Sequence, residues 1–131
     1  MGMIVVGLAS DAHQARGLVR ALEDDGFDLE DIDLSGGVLA ELVSRGVPAE
    51  EADVYAEGVR RGGMIVFVRA LNEGEATQAA QTMATHGVVD IDACASGWQR
   101  QPDAGTEEYA LIFGEYPAAP GRIYRDPRST V

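Results

Sequence analysis

Lysine is absent from this chain, and all ten of its basic residues are arginines. Set against 22 acidic residues, they leave a formal net charge of −12. That balance opposes nonspecific binding to nucleic-acid phosphates or to anionic membranes. Cys94 is the one cysteine, so no disulfide closes within the chain, and a reducing cytoplasm is the expected compartment. No apolar run approaches the roughly 18 residues of a membrane helix. No basic leader precedes "MIVVGL", so neither a signal peptide nor a membrane span is expected.

Histidine is scarce too. Neither His13 nor His86 has a carboxylate or cysteine at ligand spacing, and helix-end positions account for both. "SGG" and "GGM" lack the spacing of a phosphate loop and the lysine such a loop uses. The acidic stretch "EDDGFDLEDID" fails the calcium-loop pattern: with Gly26 at the glycine position, Ala21 falls where the first ligand belongs. A solvated helix end and loop explains it. Cys94 has no paired histidine and no basic cluster to lower its pKa, so it reads as a buried thiol. The expectation is no metal, no cofactor, no catalytic residue and no enzyme.

What the sequence does hold is one domain's worth of chain, 131 residues, with 46% hydrophobic content. "MIVVGL" (Met3 to Leu8) is a short β-branched run and predicts a strand. A helix follows, with Ser10 as its cap, Ala15, Leu18, Val19 and Leu22 on one face, and Gly26 as its left-handed stop. "DIDL" (Asp31 to Leu34) predicts a brief strand, and "VLAELVSRG" a short helix with Val38, Leu39, Leu42 and Val43 inward.

In "GVPAEEADVYAEGVRRGGMIVFVRA" every helix signal is present. Pro48 suits the first helical position. Glu50 and Glu51 face the positive end of the helix dipole, and Arg60 and Arg61 the negative end. Ala52, Tyr55, Ala56 and Val59 make the buried stripe, and Gly62 closes it. "MIVFVRA" (Met64 to Ala70) predicts the next strand. Asn72 and Glu75 match a capping box. A helix with Ala76, Ala79, Ala80 and Met83 inward then runs to Gly87. "VVDIDAC" (Val88 to Cys94) alternates and predicts a strand.

The chain echoes itself. "GMIVVG" and "GMIVFV" begin at Gly2 and Gly63, and the helix-stopping glycines Gly26 and Gly87 share that offset. "DIDL" and "DIDA" follow. Two strand–helix–strand halves predict an α/β (α+β) fold: a ferredoxin-like βαββαβ sandwich with a helical pair inserted between the halves and a C-terminal extension. The central strands are apolar at nearly every position, so both sheet faces need cover. The repeat helices cover one face. The inserted helices, the tail or a second subunit must cover the other.

Residues 1–96 are expected to form the βαβ-repeat domain and 97–131 an extension rich in proline and aromatic residues. "EEYALIFGEY" (Glu107 to Tyr116) predicts an extra strand or extended segment, packed on the body or on a partner subunit. Arg122, Arg125 and Arg128 would dock the tail on the acidic body. The candidate interaction surface comprises Tyr55, Arg60, Arg61, Trp98, Tyr109 and Phe113.

The motifs carry a resemblance. "VVGLASDAHQARGLVRALEDDGF", the Gly-Val-Pro helix ending Arg-Arg-Gly-Gly before "MIVFVRA", and "HGVVDID" resemble the general stress protein 17M-like family, also called heat-induced stress protein domains. The resemblance covers roughly residues 3 to 94. It implies a small bacterial cytoplasmic α/β domain linked with stress, without an established activity and without catalytic residues to carry over. Where such proteins often add glycine-rich segments, this chain has its proline- and aromatic-rich tail. The expected function is a non-enzymatic stress-associated module acting through a protein partner or as a homo-oligomer, most simply a dimer. The alternative is a small-molecule sensor.

Overall fold

A computed structural model describes residues 2–36, 39–100 and 119–125, with the backbone alone for 96–100. Among the described residues the elements run β1 (Met3–Ala9), α1 (Ala12–Asp24), β2 (Ile32–Ser35), α2 (Leu39–Ser44), α3 (Ala49–Arg60), β3 (Met64–Ala70), α4 (Glu73–Thr85), α5 (Ile91–Arg100) and β4 (Arg122–Arg125). A single turn of 3₁₀ helix at Leu29–Asp31 leads into β2. The fold is mixed α+β. Its sheet has four strands in the order β2-β3-β1-β4, and every neighbouring pair is antiparallel. No described helix is long and apolar enough to cross a membrane.

The echo is structural. β3 begins 61 positions after β1, and α4 begins and ends 61 positions after α1. Even the caps repeat. At α1 the cap is Asp11, not Ser10: its carboxylate accepts from the Gln14 N–H at 2.7 Å, while the Gln14 side chain accepts from the Ser10 N–H at 2.7 Å. At α4, Asn72 accepts from the Glu75 N–H at 2.9 Å, and Glu75 accepts from the Leu71 N–H at 3.2 Å. Each helix start thus satisfies two backbone donors that its own ladder leaves open. Gly26, Gly62 and Gly87 all take positive φ after their helices, as their places in the sequence require.

The echo breaks at the second "DID". Residues 88–94 are not a strand. Asp90 accepts from the Asp92 N–H at 2.9 Å and starts α5 at Ile91. The misreading has a physical reason. Ile91 and Cys94 are buried three residues apart, which fits a helix face, and a short apolar run satisfies either period. The fourth strand comes instead from the tail, where β4 pairs Met3 to Val6 of β1 with Arg125 to Arg122. The segment 107–116, read as a strand, lies outside the described residues.

Helices cover both faces of the sheet. Val5, Val66 and Val68 pack with Leu18, Leu22, Ala79 and Met83 from α1 and α4. On the opposite face Val6, Leu8, Ile65 and Phe67 pack with Ala52 and Tyr55 of α3 and with Ile91 and Cys94 of α5. The inserted helix α3 and the unforeseen α5 therefore supply the second cover within one chain. α2 contributes less than its sequence implied, since Leu42 is buried but Leu39 and Val43 are exposed; Val38 lies outside the described residues. Val59, expected in the stripe of α3, is half-buried, and Gly58 takes a buried place there.

β4 should matter to stability despite its four residues. Removing residues 119 to 131 is expected to cost about 2 kcal/mol or more, the scale of a few net backbone hydrogen bonds. Urea denaturation of the shortened chain checks this, and an unchanged midpoint would show β4 to be an ornament on the sheet.

Candidate functional site

β4 covers only the first half of β1. Past Val6 the β1 edge meets a different partner: the Val89 N–H donates to the Leu8 carbonyl at 3.2 Å. Between this contact and the start of β4 the sheet leaves a notch, a cavity of about 230 Å³. Leu8, Val89 and Ile91 give it aliphatic walls, Tyr55 an aromatic one, and Asp92 and Arg122 a charged rim.

The polar groups around the notch form one connected chain. Arg122 donates through Nη1 to Glu51 Oε1 at 2.9 Å and through Nη2 to Asp92 Oδ2. The Tyr124 hydroxyl donates to the same Glu51 oxygen at 2.6 Å. The hydroxyls of Tyr124 and Tyr55 lie 3.4 Å apart. Because Tyr124 gives its proton to Glu51, Tyr55 is the donor between them. Tyr55 sits on α3 with no exposed surface, and its ring also fills the core beneath the notch. The arginine-bearing tail does dock on acidic groups of the body, through Arg122.

Ionisation follows from burial. Burial pushes the Tyr55 phenol well above its ordinary value, against a smaller opposing pull from the Tyr124 hydrogen bond. Tyr124 is pushed up by burial, by the Tyr55 phenol and by its bond to Glu51. Arg122 is held protonated: its partial burial works the other way, but Asp92 and Glu51 prevail. The Cys94 thiol, fully buried on α5, is pushed up to about 12 by burial and then by the Asp90 charge, with Arg61 opposing.

These shifts set a pH window. An unfolded thiol ionises near about 8.5 and an unfolded phenol near about 10. Above those values the unfolded chain releases protons that the folded chain keeps. Stability is therefore fully present below about pH 8.5 and is lost as pH rises, at up to about 1.4 kcal/mol per pH unit for each proton involved. Urea midpoints in steps from about pH 8 to 11 should fall, more steeply past about pH 10. Cys94→Ala should remove the earlier part of the slope and Tyr55→Phe part of the later. A flat profile would contradict both assignments.

Two of the six candidate surface residues do not lie on the surface. Tyr55 is wholly internal, and the Arg61 side chain is only 2% exposed, so neither can present itself to a partner. Arg61 donates through Nε to Glu57 Oε2 at 2.8 Å, and the exposed Arg60 donates to Glu57 Oε1 at 2.6 Å. Burial raises the Glu57 pKa, but its hydrogen bonds to the two arginines outweigh that and hold it below the usual carboxylate range. "RRGG" is thus a helix terminus clamped on its own glutamate. Trp98 is placed only by the backbone of α5, and Tyr109 and Phe113 lie outside the described residues.

Of the groups around the notch, sequence reasoning singled out Tyr55, Glu51 and Arg122, but for other reasons: stripe, dipole and tail charge. Asp92 was hidden by the strand reading, and Tyr124 carried no signal. His13 is exposed in the first turn of α1, and His86 caps the end of α4. Among the described residues no three histidine, cysteine or acidic side chains gather as a metal site. Compared with known proteins, the chain matches no family model, no curated protein and no solved structure.

Proposed function

We propose that this chain is a non-enzymatic binding module that takes a small molecule in the notch beside β4. One observation carries the reading: the polar network that meets a cavity there is built to hold and not to transfer protons. Its two phenols keep their protons far past neutrality, and its arginine is locked between two carboxylates. General acid–base work calls for a group that titrates near the working pH. The nearby thiol, pushed up to about 12, is equally unsuited to nucleophilic attack.

The wider reading is a ferredoxin-like, stress-associated module of the bacterial cytoplasm, akin to the general stress protein 17M-like proteins. Two features support it. β1 and β2 both run antiparallel to β3, which lies between them, so β1–α1–β2 is a split βαβ unit. The motif from Gly46 to Ala70 folds as one helix–turn–strand piece.

Native mass spectrometry of the gently purified chain tests the binding reading. A co-purifying small molecule of constant mass is expected, and Ala119→Trp, which fills the notch from its half-buried wall, should abolish it. A bare chain that also shows no thermal shift with any member of a metabolite panel overturns it.

Self-association is the second reading. The need for cover is already met by α3 and α5, but Ile123 is 44% exposed on the edge strand β4. It borders a concavity of about 290 Å³ with Met3 and Arg125. A monomer by light scattering at high concentration ends that reading.

A further inference from the structure

We propose that the ligand of the notch is a small organic cation, an ammonium or amidinium group carried on an apolar body. This rests on the binding reading above and gives it a ligand class. The argument begins with which hydrogen-bonding groups are already engaged. Arg122 directs Nη1 to Glu51 and Nη2 to Asp92. The Tyr124 proton goes to Glu51 and the Tyr55 proton to Tyr124. The Val89 N–H is held by Leu8, and the Asp92 N–H by the Asp90 carboxylate. These donors of the wall are thus committed to protein acceptors.

Acceptor capacity is left over. A carboxylate offers roughly four lone-pair sites, and both Asp90 and Asp92 line the cavity. A wall rich in acceptors is matched by a ligand that brings donors. Charge points the same way. Glu51, Asp90 and Asp92 outnumber Arg122, so an anion would have to pull the arginine away from carboxylates it already holds. A cation completes the balance instead. Asp90 also occupies the start of α5, the end of a helix that attracts anions. Val89 and Ile91 border the space with apolar side chains that suit the ligand's body. At about 230 Å³ the space suits a ligand below drug size.

Three probes that share a ring and differ in charge separate the outcomes: benzylamine, benzyl alcohol and benzoate. Each is titrated into the ¹⁵N-labelled full chain while the amide signals are followed. Benzylammonium is expected to shift Val89, Asp92 and Arg122 saturably, and to bind at least about tenfold more tightly than the alcohol. Asp92→Asn should remove that advantage and leave alcohol binding as it was; the Asp92 side chain is 76% exposed, so the variant keeps its fold. Raising the salt from about 20 to 150 mM should weaken the amine alone. If the alcohol or benzoate binds the notch as tightly as the amine, the cation assignment falls and the binding reading stands. If none of the three shifts those amides, both fall.

Discussion

Replacing Tyr55 with alanine is expected to lower the stability of this chain by about 3–5 kcal/mol, the range of a buried aromatic cut back to its Cβ. Its ring has no exposed surface and packs among Leu8, Ile65, Phe67 and Ile91 across the layer between the sheet and α3. Its hydroxyl contributes far less. The contact to Tyr124 is 3.4 Å long, and Tyr124 retains its shorter bond to Glu51 without it. Tyr55→Phe should therefore cost only about 1 kcal/mol. Urea denaturation of both variants measures the two parts. Equal losses would place the energy in the hydroxyl and contradict the packing account, and an unchanged Tyr55→Ala midpoint would contradict the burial itself.

The second large effect sits in two adjacent glycines that look interchangeable in the sequence. Gly62 adopts φ +103° after α3, with open space where a side chain would go. Its replacement by alanine forces an unfavourable backbone conformation and should cost about 1–2 kcal/mol. Gly63 has no such φ, but a Cβ there would meet the Ala9 carbonyl oxygen at 2.8 Å and the Gly58 carbonyl oxygen at 2.9 Å. Those are backbone atoms of β1 and α3, and neither can swing aside as a side-chain tip can. Gly63→Ala should cost about 3 kcal/mol or more, at the upper end of overpacking. Thermal denaturation of the pair decides it. Gly63→Ala melting no lower than Gly62→Ala would mean that the β1–α3 approach has slack.

Much of the body was legible from local pattern. The boundaries of β3 and the inward faces of α4 follow from periodicity, caps and glycine stops, which act over a few residues. Failures appear where a decision depends on residues far away. At 88–94 the local pattern permitted strand or helix, and the cap at Asp90 together with the fit of Ile91 and Cys94 against α3 settled it. Spacing alone turns three positions of 38–43 besides Leu42 inward, yet α2 lies at the margin of the layer, and Leu39 and Val43 face water. The notch was the least legible part. Its groups come from α3, α5 and β4, and only the path of β4 along β1 brings them together. Tyr124 has no neighbour in the sequence to announce it, and its partner Glu51 had an adequate explanation as a dipole charge.

The strand order also governs how this chain comes into being. β1 and β4 lie far apart along the chain, yet the register joins Met3 to Arg125. An emerging chain can pair β1 with β3 once the middle of the sequence is out, and can seat α1 and α4 on one face. Until β4 pairs, the β1 edge from Met3 to Val6 lacks the described strand that covers it. Contacts this distant in sequence are slow to form, because a long loop must close before they contribute. Without β4, that edge carries the apolar run Ile4–Val5–Val6, the kind of strand that recruits other chains.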